Sequence, residues 1–200
     1  PSEGQLDVLA RLYDAGFRIP GLTHFFDNEV GGSAHGWDKG GITSFGRQVV
    51  QRLNEKNIII DLAHASPALI DDVLSLTRKP VIVSHTGVQG TCPGPRNLSD
   101  AQLRAIGRNG GIVGIGFFEG ALCAMTPHGI ARAIRHAVSI AGIQHVALGS
   151  DFDGATRAVF DARGMPLLTQ ALMDEGFNDQ EIADLMGHNV LRFLKNNLPP

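Results

Sequence analysis

The sequence predicts an α/β protein with a parallel sheet, of the (β/α)8 TIM-barrel type. Stretches with helical apolar spacing alternate along the chain with short runs rich in Val and Ile, and this alternation is typical of parallel sheets. An open doubly wound sheet fits the same order, but no predicted strand is followed by a Gly-rich nucleotide-binding motif. Most predicted strands instead end in a histidine or an aspartate. Barrels collect their strand ends at one mouth, where active sites lie, so the barrel is favoured.

Local patterns place five short strands and the helices between them. Residues 58–60 are three consecutive isoleucines with polar neighbours, a run typical of a buried strand. The five strands are predicted at about 17–22, 58–62, 81–84, 111–118 and 146–150. Ser or Thr followed by Pro or Asp marks three helix starts. The helices are predicted over 5–15, 44–56, 66–77 and 99–108, from 126 onwards, and after a capping box of Asn178 and Glu181.

Length and composition indicate one catalytic-barrel domain spanning residues 1–200. Hydrophobic residues make up 43% of the chain, enough to bury a sizeable core. The net charge is -3, and no Lys/Arg run could follow a phosphate backbone, so nucleic acid is not an expected partner. No apolar stretch reaches the roughly 20 residues of a spanning helix, so no membrane-spanning segment is predicted.

Side chains suited to metal binding stand at the predicted strand ends. His24, His64 and His85 end the first three strands, and Asp151 ends the fifth. Adjacent parallel strands lie about 4.8 Å apart, so His64 and His85 can reach one ion with Zn–N bonds of about 2.0–2.1 Å. A single histidine at a strand end is more often a packed, hydrogen-bonded group. Two at neighbouring ends favour a metal site.

The histidine pair does not complete a catalytic zinc site, which usually holds three protein ligands and one open position. Glu29, Glu119 and Asp151 are the candidates within the chain for a third ligand. The local sequence places none of them beside the pair. We therefore expect ligands from outside this chain to contribute.

Two further charged groups suit a hydrolytic site. Asp151 is favoured as an acid/base near a metal-activated water, whereas Asp153 fits an Asx turn. Arg96 lies in a stiff Pro/Gly loop that could present its guanidinium to a carboxylate, although a surface salt bridge explains it equally well. No Gly-x-Ser-x-Gly motif indicates covalent catalysis. The remaining histidines, interpreted as structural or surface groups, are His35, His128, His136, His145 and His188.

Taken together, these motifs resemble the renal (membrane) dipeptidase family of binuclear zinc peptidases, within the amidohydrolase-like barrels. The matching stretches are Leu-Thr-His at 22–24, Asp-Leu-Ala-His-Ala-Ser at 61–66, Val-Ser-His at 83–85, Pro-Arg-Asn at 95–97, Gly-Ser-Asp-Phe-Asp-Gly at 149–154 and Gly-His-Asn at 187–189. They occur in family order across nearly the whole chain, and together they are highly specific.

The resemblance implies hydrolysis of a dipeptide by a metal-bound hydroxide, with defined roles for five residues. His64 and His85 would be ligands of one zinc ion. His24 would polarise the scissile carbonyl, and Arg96 would bind the terminal carboxylate of the dipeptide. Asp151 would be the acid/base on the bridging water.

The resemblance also implies that this chain corresponds to barrel strands four to eight only. The family's His-x-Asp pair and its metal-bridging glutamate belong upstream of Pro1. The chain is thus expected to supply ligands for one of two Zn2+ ions. We expect a homodimer, or pairing with a separate N-terminal segment.

The two cysteines allow two interpretations. Neither Cys92 nor Cys123 is in a Cys-x-x-Cys pair, which excludes a zinc knuckle, and the residues alone indicate two buried free thiols. The family resemblance instead implies a disulfide between them, which favours an exported protein over a cytoplasmic one. Two other functions remain open: a lactonase or amidase activity on the same barrel, and a metal-free pseudoenzyme or binding subunit.

Overall fold

The computed structural model describes residues 3–199 as helices packed on a parallel sheet. The α-helices are α1 (Glu3–Asp14), α2 (Ser44–Glu55), α3 (Pro67–Leu76), α4 (Asp100–Asn109), α5 (Pro127–Ala141), α6 (Met165–Asp174), α7 (Asp179–Ala183) and α8 (Asn189–Asn197). The strands are β1 (Ile82–Val88), β2 (Asn97–Leu98), β3 (Ile112–Ile115) and β4 (Val146–Leu148). Short 3₁₀ turns span Ile143–His145 and Ala162–Gly164, and a π-helical turn, Asp184–His188, joins α7 to α8.

The sheet is parallel, with the strand order β2-β1-β3-β4, which confirms the predicted α/β class. β1 pairs with β3, and β3 pairs with β4. The short strand β2, which was not predicted, pairs with the far end of β1. Apart from the short strand β2, consecutive strands are therefore neighbours in the sheet, as in one arc of a barrel.

The first two predicted strands are extended segments without a continuous ladder. Residues 17–22 and 58–62 are joined by an isolated bridge between Gly21 and Asp61. The Asp61 N–H donates to the Pro20 carbonyl at 3.0 Å. Pro20 itself has no N–H, so it removes one donor that a regular ladder would need. The prediction of parallel extended segments at these positions was right, but the segments do not form the continuous strands that were predicted.

The helix starts follow the predicted caps. The hydroxyls of Ser66, Ser99 and Thr126 each accept a backbone N–H from the first turn of α3, α4 and α5. The capping box of Asn178 and Glu181 is present at the start of α7. Side chains that satisfy otherwise unpaired N–H groups thus fix where these helices begin. Among the helices described, none has both the length and the apolar character that a bilayer crossing requires.

The amino ends of the strands are closed by α8. We call the apolar cluster of Ile59, Ile112, Ala147 and Phe193 the floor; each of these side chains is buried. The Asn189 side chain at the start of α8 donates to the carbonyls of residues 143 and 146, at 2.7 and 2.8 Å. These bonds hold the helix against the sheet, so the polar groups of interest lie at the opposite end.

Candidate metal and substrate site

The predicted site residues converge at the carboxyl ends of the strands. A cavity of about 370 Å³ is lined by His24, His64, Arg96 and Asp151, among other residues. An adjoining cavity of about 540 Å³ is lined by His24, His64, His85 and Asp151. We call these five residues the mouth. The fold therefore brings together every side chain that the sequence placed at this site.

The two expected metal ligands face each other. The Nε2 atoms of His64 and His85 are 3.0 Å apart. Two nitrogens bound to one tetrahedral zinc would lie about 3.3 Å apart, given Zn–N bonds of about 2.0–2.1 Å. The donor pair fits a shared ion with a small adjustment of either ring.

Both imidazoles are held in the neutral form that binds metals. Burial, with the nearby charge of Arg96, lowers the pKa of His64 to about 3. Burial likewise lowers the pKa of His85, followed by the Arg96 charge, against the opposing charges of Asp151 and Asp61. Metal binding needs a deprotonated ring nitrogen, so no proton has to be removed from either ring at neutral pH.

His64 occupies an unusual backbone and polar environment. Its φ angle is 65°, in the left-handed region that residues with a Cβ rarely adopt. Its Nδ1 atom is buried and has no hydrogen-bond partner among residues 3–199. Such strain and unpaired polarity are found mainly where function requires a particular orientation.

His85 is better supported by its neighbours. Its Nδ1 atom lies 2.9 Å from the Ser84 hydroxyl, the kind of contact that fixes the orientation of a metal-binding imidazole. The Asp61 carboxylate accepts the N–H groups of Ser84 and Ala63, at 3.0 and 2.9 Å. Asp61 therefore ties together the two backbone segments that carry His64 and His85.

The described residues do not form a complete metal site. No group of three His, Cys, Asp or Glu side chains within 3–199 is arranged to hold an ion. Glu29, Glu119 and Asp151, the candidates for a third ligand, do not complete the histidine pair. The histidines thus fit part of a metal site.

Arg96 is held rigidly beside the histidine pair. One guanidinium nitrogen donates to the His85 carbonyl at 2.8 Å. The Arg96 carbonyl accepts the Thr86 hydroxyl at 3.0 Å. Burial lowers the pKa of Arg96 to about 10, so the group remains a cation at neutral pH. A fixed cation that lines the cavity can bind an anionic part of a substrate.

Asp151 and His24 complete the mouth. Asp151 has a φ angle of 58°, and its Oδ2 atom lies 3.9 Å from His85 Nε2. A Cβ on Gly154 would come within 2.2 Å of the Asp151 carboxylate, so a side chain there would displace that carboxylate. The His24 ring packs edge-on against the His64 ring at 4.4 Å between centroids.

A disulfide links two walls of the site. Cys92 and Cys123 are bonded, with 5.1 Å between their Cα atoms, so the interpretation as two free thiols was wrong. Cys92 belongs to the loop of Arg96, and Cys123 to the loop that follows Phe118. The bond therefore joins two loops that both contribute residues to the cavity lining.

Several lining residues were not predicted. His35, interpreted as a structural or surface group, lines the 370 Å³ cavity, and its ring lies 5.4 Å from that of His64. Phe118 and Arg157 also line it, as does Glu119, which the sequence suggested only as a candidate third metal ligand. All four lie in loops, where the sequence has no helical or strand periodicity from which their positions could be predicted. The other histidines lie outside the mouth and contact Asp174, Asp100, the Gly111 carbonyl and Asp184, in chain order.

The parallel sheet, with two histidines, an arginine and an aspartate at its carboxyl edge, defines an α/β protein of the barrel class. The chain belongs to the membrane dipeptidase family (peptidase family M19), whose model matches residues 3–198.

Relatives of known sequence support this assignment. Dipeptidase aclJ of Aspergillus oryzae is 34% identical over 96% of this chain, and dipeptidase verJ of Clonostachys rogersoniana is 33% identical over 94%. The chain spans 48% and 50% of the lengths of these two proteins. An uncharacterized protein in the pqqA 5' region of Klebsiella pneumoniae is 35% identical over 97% of this chain and 77% of its own length.

Solved structures share the fold. Dipeptidase AC, an M19 metallo peptidase, superimposes with a TM-score of 0.86 at 30% identity, over 96% of this chain and 60% of its own. A metallo peptidase from Rhodobacter sphaeroides, liganded with a phosphinate mimic of the dipeptide L-Ala-D-Ala, gives a TM-score of 0.84 at 29% identity, over 96% and 59%. The similarity covers nearly all of this chain, including the mouth.

Proposed function

We propose that the whole protein is a zinc-dependent dipeptidase. The observation that carries this proposal is the approach of His64 Nε2 to His85 Nε2, at 3.0 Å, in a cavity that Arg96 and Asp151 also line. A neutral histidine pair, a fixed cation and a carboxylate are the groups that amide hydrolysis of a small anionic substrate needs.

His64 and His85 would hold one zinc ion of a two-ion site. A zinc ion bound there would lower the pKa of an attacking water and polarise the substrate carbonyl. Further ligands would come from outside the described residues, supplied by another segment or by a partner subunit. The chemistry of the donor set supports zinc, which accepts imidazole nitrogen readily.

The other mouth residues act on the substrate. Arg96 binds the terminal carboxylate of the dipeptide, because its guanidinium is buried, charged and held in place. His24 packs against the His64 ring and stabilises the negative charge that develops on the scissile carbonyl oxygen. Asp151 accepts a proton from the attacking water and delivers it to the leaving amine.

Arg96 also favours a dipeptidase over an amidase or lactonase that acts on uncharged substrates. A cation buried in a cavity stabilises binding only when the substrate carries a matching anion. The disulfide supports export from the cytoplasm, where thiols are kept reduced.

Metal analysis and a peptidase assay on the whole protein test this proposal. We expect about two zinc ions per barrel and loss of dipeptide hydrolysis after chelation, with recovery when zinc is restored. A protein that binds no zinc and cleaves no dipeptide would be a binding subunit instead. Hydrolysis of uncharged amides in preference to dipeptides would favour the amidase alternative.

A further inference from the structure

The outer wall of the substrate cavity is built by two loops that pair with each other. One contributes Phe118 and Glu119, and the other contributes Arg157. Phe118 and Ala158 form an antiparallel bridge, and the Val159 N–H donates to the carbonyl of residue 117 at 2.8 Å. In antiparallel pairing, the residue after Phe118 lies opposite the residue before Ala158. Glu119 and Arg157 therefore stand opposite each other at the cavity rim.

Their charges remain available to a ligand. Both residues are exposed, and no ion pair among the described residues involves either of them. Arg163, in the same loop region as Arg157, is different because its guanidinium lies 2.6 Å from Asp161. Arg163 does not line the cavity.

Two arginines, Arg96 and Arg157, thus line the same cavity as Phe118. The Arg96 guanidinium lies 5.8 Å from the centre of the Phe118 ring. Arg157 immediately precedes Ala158, the bridge partner of Phe118. If Arg96 binds the terminal carboxylate, Arg157 is placed for a second anionic group on the same residue of the substrate.

We propose that Arg157 is a specificity-determining residue that selects dipeptides with a C-terminal aspartate or glutamate. The proposal rests on the proposed function, because it assumes that Arg96 holds the terminal carboxylate. Glu119 opposes the selection, since its negative charge faces the same part of the cavity and repels an acidic side chain. Arg157 thus favours a negative charge on the C-terminal side chain of the substrate, and Glu119 disfavours it.

Ala-Glu and Ala-Gln test the proposal, because they have nearly the same shape and differ in one charge. We expect the native protein to favour Ala-Glu in kcat/KM by about fivefold, the effect of roughly 1 kcal/mol from a partly exposed charge pair. Arg157→Gln should abolish this ratio, because it lowers kcat/KM for Ala-Glu more than for Ala-Gln. Glu119→Gln should increase the ratio, and Arg163→Gln, the matched control, should preserve it.

A binding measurement separates this inference from the proposed function. The dissociation constants of Ala-Glu and Ala-Gln are measured by calorimetry on the metal-free protein, in which no hydrolysis is expected. Hydrolysis of both dipeptides at equal kcat/KM would overturn the role of Arg157 and leave the dipeptidase function standing. Tighter binding of Ala-Glu that depends on Arg157, together with no hydrolysis of either dipeptide by the zinc-loaded whole protein, would overturn the function and keep the selection. Equal weakening of both dipeptides by Arg157→Gln would show a general structural role and reject the proposal.

Discussion

At the mouth, His64 and Asp151 have φ angles of 65° and 58°. The floor at the other end of the same sheet is instead built from buried apolar side chains. The mouth contains a buried ring nitrogen with no partner in the described residues. At the floor, the Asn189 amide satisfies two carbonyls and fixes α8. One end of the sheet therefore contains strain and open polar groups, and the other contains packed apolar surface.

This difference indicates how the molecule divides stability from function. Strained and unpaired groups cost free energy, on the order of 1–3 kcal/mol each, and persist only where the surrounding structure compensates. The floor supplies part of that compensation, because burial of large apolar side chains is the main favourable contribution to folding. Substitutions at the floor should lower stability, and substitutions at the mouth should lower function with little loss of stability.

The largest expected effect is at the floor. Phe193→Ala should lower the free energy of unfolding by about 4 kcal/mol, because it leaves a cavity between α8 and the sheet. Urea titration measures the change. Leu191→Ala is the matched control on the same helix, where the side chain is 54% exposed, and should change stability by less than about 0.5 kcal/mol. Equal losses of stability from the two substitutions would show that the floor stabilises the fold no more than an exposed position on the same helix does.

The disulfide is expected to affect both properties. Replacing Cys92 and Cys123 by serine should lower the free energy of unfolding by about 3 kcal/mol, because the bond closes a loop between residues 31 positions apart. The substitution should also raise KM for dipeptides more than it lowers kcat, since Arg96 lies in the released loop. A reductant should reproduce both changes in the native protein and have no effect on the double variant. A loss of stability with KM unchanged would show that the disulfide does not affect substrate binding at the mouth.

His64→Asn should affect the mouth alone. Zinc affinity should fall at least about 100-fold, more than the 10- to 100-fold loss typical of a supporting residue. The stability of the metal-free protein should change by less than about 1 kcal/mol, because asparagine tolerates a positive φ angle. Zinc titration and urea titration measure the two quantities. His136→Asn, at a histidine paired with Asp100 away from the mouth, should leave zinc affinity unchanged; a similar loss there would contradict the assignment of His64.

Arg96→Ala gives the smallest expected change and the sharpest test of substrate class. KM for dipeptides should rise about tenfold, the effect of losing a charged hydrogen-bonded contact. KM for dipeptide amides, which lack the terminal carboxylate, should change little. Steady-state kinetics on both substrate sets measures the difference. Equal effects on the two sets would reject carboxylate binding by Arg96.

Much of the fold could be predicted because its signals are local. The capping residues Ser66, Ser99 and Thr126 begin helices as predicted, since a cap acts on the N–H groups of the next turn. The segment 17–22 was predicted to be a more regular strand than it is. Its pairing partner, residues 58–62, is distant in sequence, so the local pattern could not show that the ladder between them is interrupted. Strand β2 was missed because two residues carry no periodic pattern.

The sequence by itself determined which side chains end the extended segments. The residues His24, His64, His85 and Asp151 each follow a short apolar run that the local pattern identifies as a strand. Tertiary structure decided which loop residues join them. His35, Glu119 and Arg157 reach the cavity through loops whose paths depend on contacts between distant segments, such as the bridge from Phe118 to Ala158. Spacing along a strand or helix is a local property, but the closure of a loop depends on everything against which it packs.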